Sequence, residues 1–293
     1  MKRQPSSHFF ASITILVWAS GFALTKIALG FFSSNSIGFL RYAISTILLL
    51  PIIIYKTLSL PALRDIPLFF ASGATGFFLY MITFNKGMET LSSATSSILI
   101  ATAPILTALL AFFLFKERLS LSGWIAVAIE FAGVFVLMLW NGVLSISIGA
   151  LWMMAAALLI SSYNLLQRRL TRTYSPLQTT AYSIFAGTIL LLCFLPETLP
   201  QLIQAPFIPL VAVILLGVFP STVGYVCWSK ALSIAKKTST VTNYMFLTPF
   251  FSTLLGFLLI LEVPGISTII GGCIILAGLA LFRISEKRNM LEK

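Results

Sequence analysis

The sequence contains little charge and few of the side chains that enzymes use for catalysis. Only 9% of its 293 residues are charged, whereas soluble domains have roughly a quarter. It has one histidine, His8, and one aspartate, Asp65. No Ser–His–Asp set or metal cluster can be built from these, and the sequence shows no phosphate-binding glycine loop. We therefore predict that the protein is not an enzyme and uses no cofactor or metal.

Cysteine is also scarce. The three cysteines, Cys193, Cys227 and Cys273, each lie alone in an apolar run. Their spacing fits neither a disulfide framework nor a metal site. We expect them to be small packing residues.

Apolar residues dominate what is present. They make up 58% of the chain, and the mean hydropathy is +1.01. Runs of about 20 apolar residues are long enough to cross a bilayer as helices. We predict an all-α integral membrane protein with ten transmembrane helices. The predicted spans are Phe9–Phe31, Ser36–Tyr55, Ile66–Met88, Ser92–Phe115, Leu121–Trp140, Ile146–Gln167, Ser175–Leu195, Pro206–Ser233, Thr238–Leu261 and Val263–Phe282.

The basic residues indicate how these spans are oriented. With a cytoplasmic N-terminus, sixteen of the nineteen Lys and Arg residues fall in cytoplasmic segments. Lys86 is external, and Lys26 and Arg41 lie within spans. This bias is the positive-inside pattern of membrane proteins. The net charge of +11 therefore indicates topology rather than a nucleic-acid partner, and both termini are predicted to be cytoplasmic.

The chain repeats one layout twice. Three landmarks recur 145 positions later: Pro104, Glu117 and Gly133 return as Pro249, Glu262 and Gly278. Elsewhere the offset is 142, as between Thr46 and Thr188, or 144, as between Gly73 and Gly217. We predict two repeats of five spans, residues 1–140 and residues 141–293.

An odd number of spans in each repeat makes the second repeat enter the membrane from the opposite side. The prediction is therefore an inverted-topology repeat. Folds of this kind usually bind substrate near the bilayer midplane, where the repeats meet, and work by alternating access.

Several stretches resemble a known family. They are WASGFALTKIAL in the first span, FLRYAISTILLL in the second, GYVCWSKALSIAKKTS in the eighth, and a mid-span proline followed thirteen residues later by a glutamate in both halves. Together they resemble the EamA-type transporters of the drug/metabolite transporter superfamily. The resemblance implies a bacterial inner-membrane exporter or facilitator of small metabolites, often amino acids or related compounds. The superfamily also moves nucleotide sugars, phosphorylated sugars and drugs, and Ile160 stands opposite Trp18 where the family often has tryptophan.

We single out one proline in each of the predicted spans four, eight and nine: Pro104, Pro220 and Pro249. A proline inside a helix frees the carbonyl four residues earlier. The freed carbonyls are those of Ile100, Leu216 and Met245. The prolines are either static kinks or hinges whose free carbonyls line a cavity.

Lys26 and Arg41 are predicted at similar depth on either side of the short segment Phe32–Asn35. A charge within a span is costly unless it is paired or faces a cavity. One interpretation is that both snorkel to lipid phosphates. The other is that they bind a substrate carboxylate, for which arginine has the better geometry.

Glu130 is the only acid in the middle of a span. It shares a helical stripe with Gly123, Ala126 and Gly133, so it should face protein. It is a candidate for proton coupling, or a buried structural partner. Glu262, like its counterpart Glu117, lies at a span end, where we expect it to anchor or cap the following helix.

Aromatic and amide residues complete the candidate substrate site. A polar group within a span requires a partner, either a neighbouring helix or a ligand. The candidates are Trp18, Phe22, Tyr80, Asn85, Tyr163, Asn164, Tyr225, Trp228, Asn243 and Tyr244.

Other functions stay open at this point. A channel, a lipid flippase and a membrane scaffold all fit the composition, although inverted halves with broken helices favour alternating access. The predicted partners are a small-molecule substrate and the bilayer, with the protein as a monomer or a homodimer.

Overall fold

Almost every residue in the described part of the protein lies in a helix. The computed structural model describes residues 7–115, 120–139, 147–234, 241 and 243–291, and these ranges contain no strand. Lipid cannot hydrogen-bond to backbone groups, so a chain of this composition satisfies them within its own helices.

The described ranges of the first half contain seven α-helices. They are α1 (Ser7–Leu29), α2 (Ser34–Tyr55), α3 (Ile66–Gly73), α4 (Leu79–Thr90), α5 (Ser93–Ile100), α6 (Ala103–Phe115) and α7 (Leu121–Leu139). A 3₁₀ turn at Leu63–Asp65 precedes α3, and a π-helical segment at Ala74–Phe78 joins α3 to α4.

The second half contains a further seven α-helices in the described ranges. They are α8 (Ile148–Leu170), α9 (Pro176–Leu191), α10 (Leu195–Ile203), α11 (Phe207–Leu216), α12 (Tyr225–Ile234), α13 (Thr248–Ile260) and α14 (Ile266–Leu291). A 3₁₀ turn at Leu192–Phe194 joins α9 to α10, a π-helical segment at Gly217–Gly224 joins α11 to α12, and a 3₁₀ turn at Asn243–Leu247 precedes α13.

Seven helical stretches in the described ranges are long and apolar enough to cross a membrane. They are Ser7–Leu29, Ser34–Tyr55, Leu63–Thr90, Ser93–Leu110, Ile148–Leu170, Pro176–Ile203 and Phe207–Ile234. Shorter apolar helices occur at Leu121–Val136, Thr248–Ile260 and Ile266–Phe282, where spans five, nine and ten are predicted. The all-helical membrane fold is thus confirmed, and the count of ten spans stays a prediction.

Serine residues begin four of the helices. The hydroxyl oxygens of Ser33, Ser92, Ser147 and Ser175 each accept a hydrogen bond from a backbone N–H in the first turn that follows. Serine is suited to this position because its short side chain reaches those otherwise unpaired donors. These caps fix where α2, α5, α8 and α9 start.

Pro104, Pro220 and Pro249 each lie at a departure from regular α-helix. Pro104 follows the break between α5 and α6 at Ala101–Thr102, and Pro249 follows the 3₁₀ turn before α13. Pro220 lies within the π-helical segment Gly217–Gly224, where the Thr222 hydroxyl bonds to the carbonyl of Gly217 at 2.8 Å. Their role as hinges stays a prediction.

The two π-helical segments occupy matching places in the two halves. Each begins beside a glycine that touches another helix. A Cβ on Gly73 would lie 2.9 Å from the carbonyl oxygen of Ser183, and one on Gly217 would lie 3.2 Å from that of Arg41. Gly217 is 144 positions from Gly73, and Ser183 is 142 from Arg41. The α3–α9 contact between the halves is therefore reproduced by the α11–α2 contact, which also joins them.

Helices α7 and α14 pack against each other with the same reciprocity. A Cβ on Gly133 would lie 2.7 Å from the Ile275 side chain, and one on Gly278 would lie 2.8 Å from the backbone nitrogen of Glu130. Both pairs are related by 145 positions. Small residues let helix backbones approach closely, which is the usual way that membrane helices pack.

Helix α10 was not anticipated, because the sequence predicts only a connection after Leu195. This helix lies against the start of α2. The Thr198 hydroxyl donates to Ser36 Oγ at 3.1 Å, and Gln201 Oε1 accepts the Ser33 N–H at 2.9 Å. It therefore holds one end of the helix that carries Arg41.

Candidate functional site

A cavity lies where the two halves of the chain meet, with a volume of about 50 Å³. The first half contributes Trp18, Gly21, Phe22, Arg41, Tyr80, Phe84 and Ile100. The second half contributes Ile160, Pro220, Tyr225, Met245 and Thr248. Five of the predicted contact residues, Trp18, Phe22, Arg41, Tyr80 and Tyr225, thus share one cavity.

Residues at corresponding positions of the two halves line this cavity together. Trp18 and Ile160 are 142 positions apart, and Ile100 and Met245 are 145 apart. Nearby, the hydroxyls of Thr46 and Thr188, which are also 142 apart, lie within 2.8 Å of each other. Residues at matching positions of the two halves therefore meet at this cavity.

Arg41 is the cation of the cavity. Its side chain is 5% exposed, its Nε–H donates to Ser221 Oγ at 3.1 Å, and its guanidinium carbon lies 6.0 Å from the centre of the Tyr42 ring. Among the described residues, no acidic side chain is within ion-pair distance of Arg41. The ion pairs that those residues form are Arg64–Asp65 and Lys86–Glu89. A buried guanidinium with neutral partners favours binding of an anion.

Aromatic rings form a continuous cluster around Arg41. Phe77 is at its centre, with ring centres 4.8 Å from Tyr42, 5.2 Å from Tyr163 and 5.1 Å from Tyr225. Tyr163 was a predicted contact residue, but it lies behind the cavity wall, against Phe77. Such edge-to-face contacts hold the rings in a fixed arrangement, and Tyr225 is the member of this cluster that lines the cavity.

Trp18 connects α1 to the irregular segment between α11 and α12. Its Nε1–H donates to the carbonyl oxygen of Pro220 at 3.1 Å. Its ring centre lies 5.2 Å from that of Tyr225 and 5.0 Å from that of Trp228. Trp228 is buried behind Trp18 and supports it, rather than lining the cavity.

Lys26 does not share the cavity with Arg41. It is half-buried near the end of α1, and the acid whose charge acts on it is Glu262. Glu262 Oε2 also accepts the backbone N–H of Ser93 at 2.8 Å. Glu262 therefore caps α5, from the other half of the chain, rather than the helix that follows it.

The remaining amide and tyrosine candidates do not line the cavity in the described part of the structure. Asn85 is fully buried and donates to the carbonyl oxygen of Ser34 at 2.8 Å. Tyr244 OH lies 2.8 Å from His8 Nδ1, and Asn164 is half-buried outside the cavity lining. The side chain of Asn243 lies outside the described part of the structure, as does Glu117.

Glu130 is buried, as its helical stripe predicts. It is 1% exposed and borders a small apolar gap with Thr102, Ile105, Leu106, Phe131, Val134 and Met154. Neither carboxylate oxygen has a hydrogen-bond partner among the described residues. Glu130 is thus separate from the cavity that contains Arg41.

The sequence analysis did not single out several residues that line the cavity or contact Arg41. Phe84 packs against Phe22, with ring centres 5.3 Å apart, and Ser221 holds Arg41. Thr248 lines the cavity from the second half of the chain, whereas Arg41 lines it from the first. Thr248 and Ser221 are adjacent to Pro249 and Pro220. That position beside a proline inside a span was the sequence signal that could have identified them.

The fold and the cavity define a class of protein. A multi-pass helical membrane protein with a partly polar cavity between two similar halves is typical of secondary transporters. The profile of the EamA-like transporter family matches the chain twice, over residues 5–139 and 147–284. The chain belongs to the EamA-like transporter family, and it is a transporter rather than an enzyme.

Its relatives are named as transporters. The chain is 29% identical over 283 residues to the uncharacterized transporter YdfC of Bacillus subtilis, covering 96% of this chain and 92% of the relative. It is 28% identical to a probable terminal-alkyne amino-acid exporter of Streptantibioticus cattleyicolor, covering 92% and 90%. It is 25% identical to an S-adenosylmethionine uptake transporter of Rickettsia prowazekii, covering 89% and 86%.

A protein of known crystal structure shares the fold. It aligns with a TM-score of 0.66 over 94% of this chain and 96% of that protein, at 19% sequence identity. At this identity the likeness shows the fold alone.

Proposed function

We propose that this protein is a secondary transporter that exports or facilitates movement of small metabolites, amino acids or related compounds, across the bacterial inner membrane. Substrate binds in the cavity between two inverted repeats of five spans, with a carboxylate at Arg41. Trp18, Phe22, Tyr80 and Tyr225 contact the rest of the molecule. Both termini are cytoplasmic.

The observation that carries this proposal is the buried guanidinium of Arg41. A buried charge is tolerated when an opposite charge or strong hydrogen bonds compensate for it. In the described structure Arg41 has one hydroxyl partner and one aromatic ring. A carboxylate accepts two parallel hydrogen bonds from a guanidinium, so an anionic group is the ligand that this site suits.

The reciprocal contacts support the inverted repeat. Gly73 meets α9 as Gly217 meets α2, and α7 meets α14 through matching residues. The Thr46–Thr188 pair joins two corresponding residues directly. A twofold relation between the halves produces this pattern, and a twofold axis in the membrane plane inverts one half with respect to the other.

The size of the cavity supports alternating access over a channel. Pockets that enclose small ligands have volumes of about 300–1,000 Å³, and this cavity has about 50 Å³. An amino acid therefore enters only if the helices around the cavity move. The breaks at Ala101–Thr102 and at Gly217–Gly224 are where that movement is easiest, because regular hydrogen bonding is already interrupted there.

The names of the relatives support an amino-acid-like substrate but leave direction open. One relative is named for amino-acid export and the other for uptake of S-adenosylmethionine, a compound built on an amino acid. Export is our proposal, and facilitated movement in either direction is the variant that the second name supports.

Transport by purified protein in proteoliposomes tests the proposal. Vesicles preloaded with an unlabelled compound are diluted into the same labelled compound, and exchange is measured. The panel contains the twenty amino acids, a nucleotide sugar, a cationic drug and a fluorescent phospholipid. Exchange of one or more amino acids supports the proposal. Exchange of the other classes alone assigns the protein to those classes, and phospholipid movement alone identifies a flippase.

A further inference from the structure

Glu130 lies in surroundings that offer its carboxyl group nothing to bind. It is 1% exposed, ten residues into the nineteen-residue helix α7. The gap beside it has no room for a water molecule. The Thr102 hydroxyl, the polar group of that gap, donates instead to the carbonyl oxygen of Leu99 at 2.6 Å.

The other half of the chain shows that packing does not require an acid here. The position corresponding to Glu130 is Ile275, which lies on α14 and contacts Gly133. Gly278 contacts the backbone of Glu130 in the same way. An aliphatic residue therefore fills the reciprocal position, and a carboxyl group at residue 130 adds no hydrogen bond among the described residues.

Among the described residues, no charged neighbour compensates for a negative charge on Glu130 either. Its neighbours on α6, α7 and α8 are Ile105, Leu106, Phe131, Val134 and Met154, none of which ionises. On α14 the facing residues are Ile275 and Gly278. No charged group in the described ranges acts on Glu130. In such a place a carboxyl group is stable only in its neutral form.

From these observations we propose that Glu130 is the binding site for a coupling proton, an inference that rests on the proposed transport function. In the conformation seen here the carboxyl retains its proton. When the helices around it separate, water reaches the group, its O–H bond breaks, the proton passes to water, and the carboxylate remains. Return to the packed arrangement requires that a proton be bound again.

The break between α5 and α6 connects this site to the substrate cavity. Thr102 borders Glu130, and Ile100, two residues earlier, lines the cavity. On α8, Met154 likewise borders the gap beside Glu130, and Ile160 on the same helix lines the cavity. Movement of α5 that admits a substrate therefore also changes the packing around Glu130. This linkage makes protonation and transport interdependent.

Infrared spectroscopy tests the protonation directly and needs no substrate. The purified protein in lipid nanodiscs is titrated with acid and base, and the C=O band of protonated carboxyl groups is recorded. We expect one such band to persist at neutral pH in the wild type and to be missing in Glu130→Gln. The control is Glu89→Gln, because Glu89 is exposed and bonded to Ser34 and Lys86; its spectrum should keep the band. A wild type without the band overturns the proposal.

Transport assays then distinguish a loss of proton coupling from a loss of transport. L-Phenylalanine, which suits the aromatic cavity, is the probe; if it does not exchange, the amino acid exchanged fastest is used. Vesicles carry a pH gradient of either direction. We expect one direction to accelerate net uptake at least tenfold in the wild type and in Glu89→Gln, and to leave Glu130→Gln unchanged although exchange without a gradient is retained. Glu130→Asp should respond at a shifted pH.

The two proposals fail in different ways. If no amino acid exchanges in the wild type, the proposed function is wrong. If exchange occurs but the wild type ignores the gradient, or Glu130→Gln still responds to it, the proton site is wrong and the proposed function stands. If Glu130→Gln does not fold, the pH profile of Glu130→Asp decides: a profile equal to that of the wild type overturns the proton site.

Discussion

Arg41 is the residue on which substrate recognition depends most. It is placed by Ser221, on the opposite half of the chain, and by the neighbouring ring of Tyr42. Both partners are neutral, so they orient the guanidinium without neutralising it. A substrate carboxylate would therefore meet a charge that is already positioned, and this reduces the entropic cost of binding.

Replacing Arg41 should reduce affinity for carboxylates in particular. We expect Arg41→Ala to bind L-phenylalanine roughly ten- to a hundredfold more weakly, which corresponds to about 1.5–3 kcal/mol for hydrogen bonds to a charged group. L-Phenylalaninamide, which lacks the carboxylate, should lose little. Arg41→Lys should recover part of the affinity, because an ammonium cannot reproduce the planar fork. Isothermal titration of both ligands measures this, and an equal loss for both would contradict carboxylate binding.

The sequence places some residues well and others badly, for a physical reason. Glu130 is predicted to face protein from its stripe of small residues, and the structure buries it. Lys26 and Arg41 have similar predicted depth, yet they point to different surroundings. The depth of a side chain follows from its position along a helix. Its direction depends on how the helix is rotated and on which residues, such as Glu262, lie opposite it, and a single sequence does not give this information.

At the scale of helices, close contacts between glycines and neighbouring backbones hold the halves together. A Cβ on Gly73 would lie 2.6 Å from the backbone nitrogen of Gly187. A Cβ on Gly187 would lie 2.6 Å from the Cβ of Phe77, the residue at the centre of the aromatic cluster. The α3–α9 contact therefore supports the rear wall of the cavity.

Gly73→Ala should therefore destabilise the protein. Overpacking of this kind costs about 1–3 kcal/mol, because backbone atoms of α9 would have to move. Thermal unfolding followed by fluorescence-detected size-exclusion should show a lower midpoint. The control is Gly265→Ala, in the connection before α14, where the nearest atom to an added Cβ is 3.8 Å away. A Gly73→Ala variant as stable as this control would contradict the close α3–α9 contact.

Regular helices were predictable and their interruptions were less so. Apolar length fixes that a span exists, and serines mark where several helices begin. Prolines signal the break after Ile100 and the irregular segment at Gly217–Gly224. The π-helical segment Ala74–Phe78 contains no proline, so only its relation to residues 218–222 in the repeat points to it.

At the scale of the whole molecule, the arrangement in the membrane follows from the basic residues. Reporter fusions after Lys293 and within residues 168–174 should report a cytoplasmic location. A fusion near Glu197 should report an external one, since few basic residues lie on that side. Paired alkaline phosphatase and green fluorescent protein fusions provide the measurement. A cytoplasmic signal near Glu197 would contradict the inverted repeat.

In the proposed mechanism, the cavity between the halves opens to each side of the membrane in turn. Thr248 lines it from the second half, and Thr248→Cys in a variant whose Cys193, Cys227 and Cys273 are replaced by alanine provides one reactive thiol there. A membrane-impermeant thiol reagent is applied to right-side-out and to inside-out vesicles, and the rate of labelling is measured. We predict labelling from both sides, slowed from both by transported substrate. Labelling from one side only, with and without substrate, would contradict alternating access.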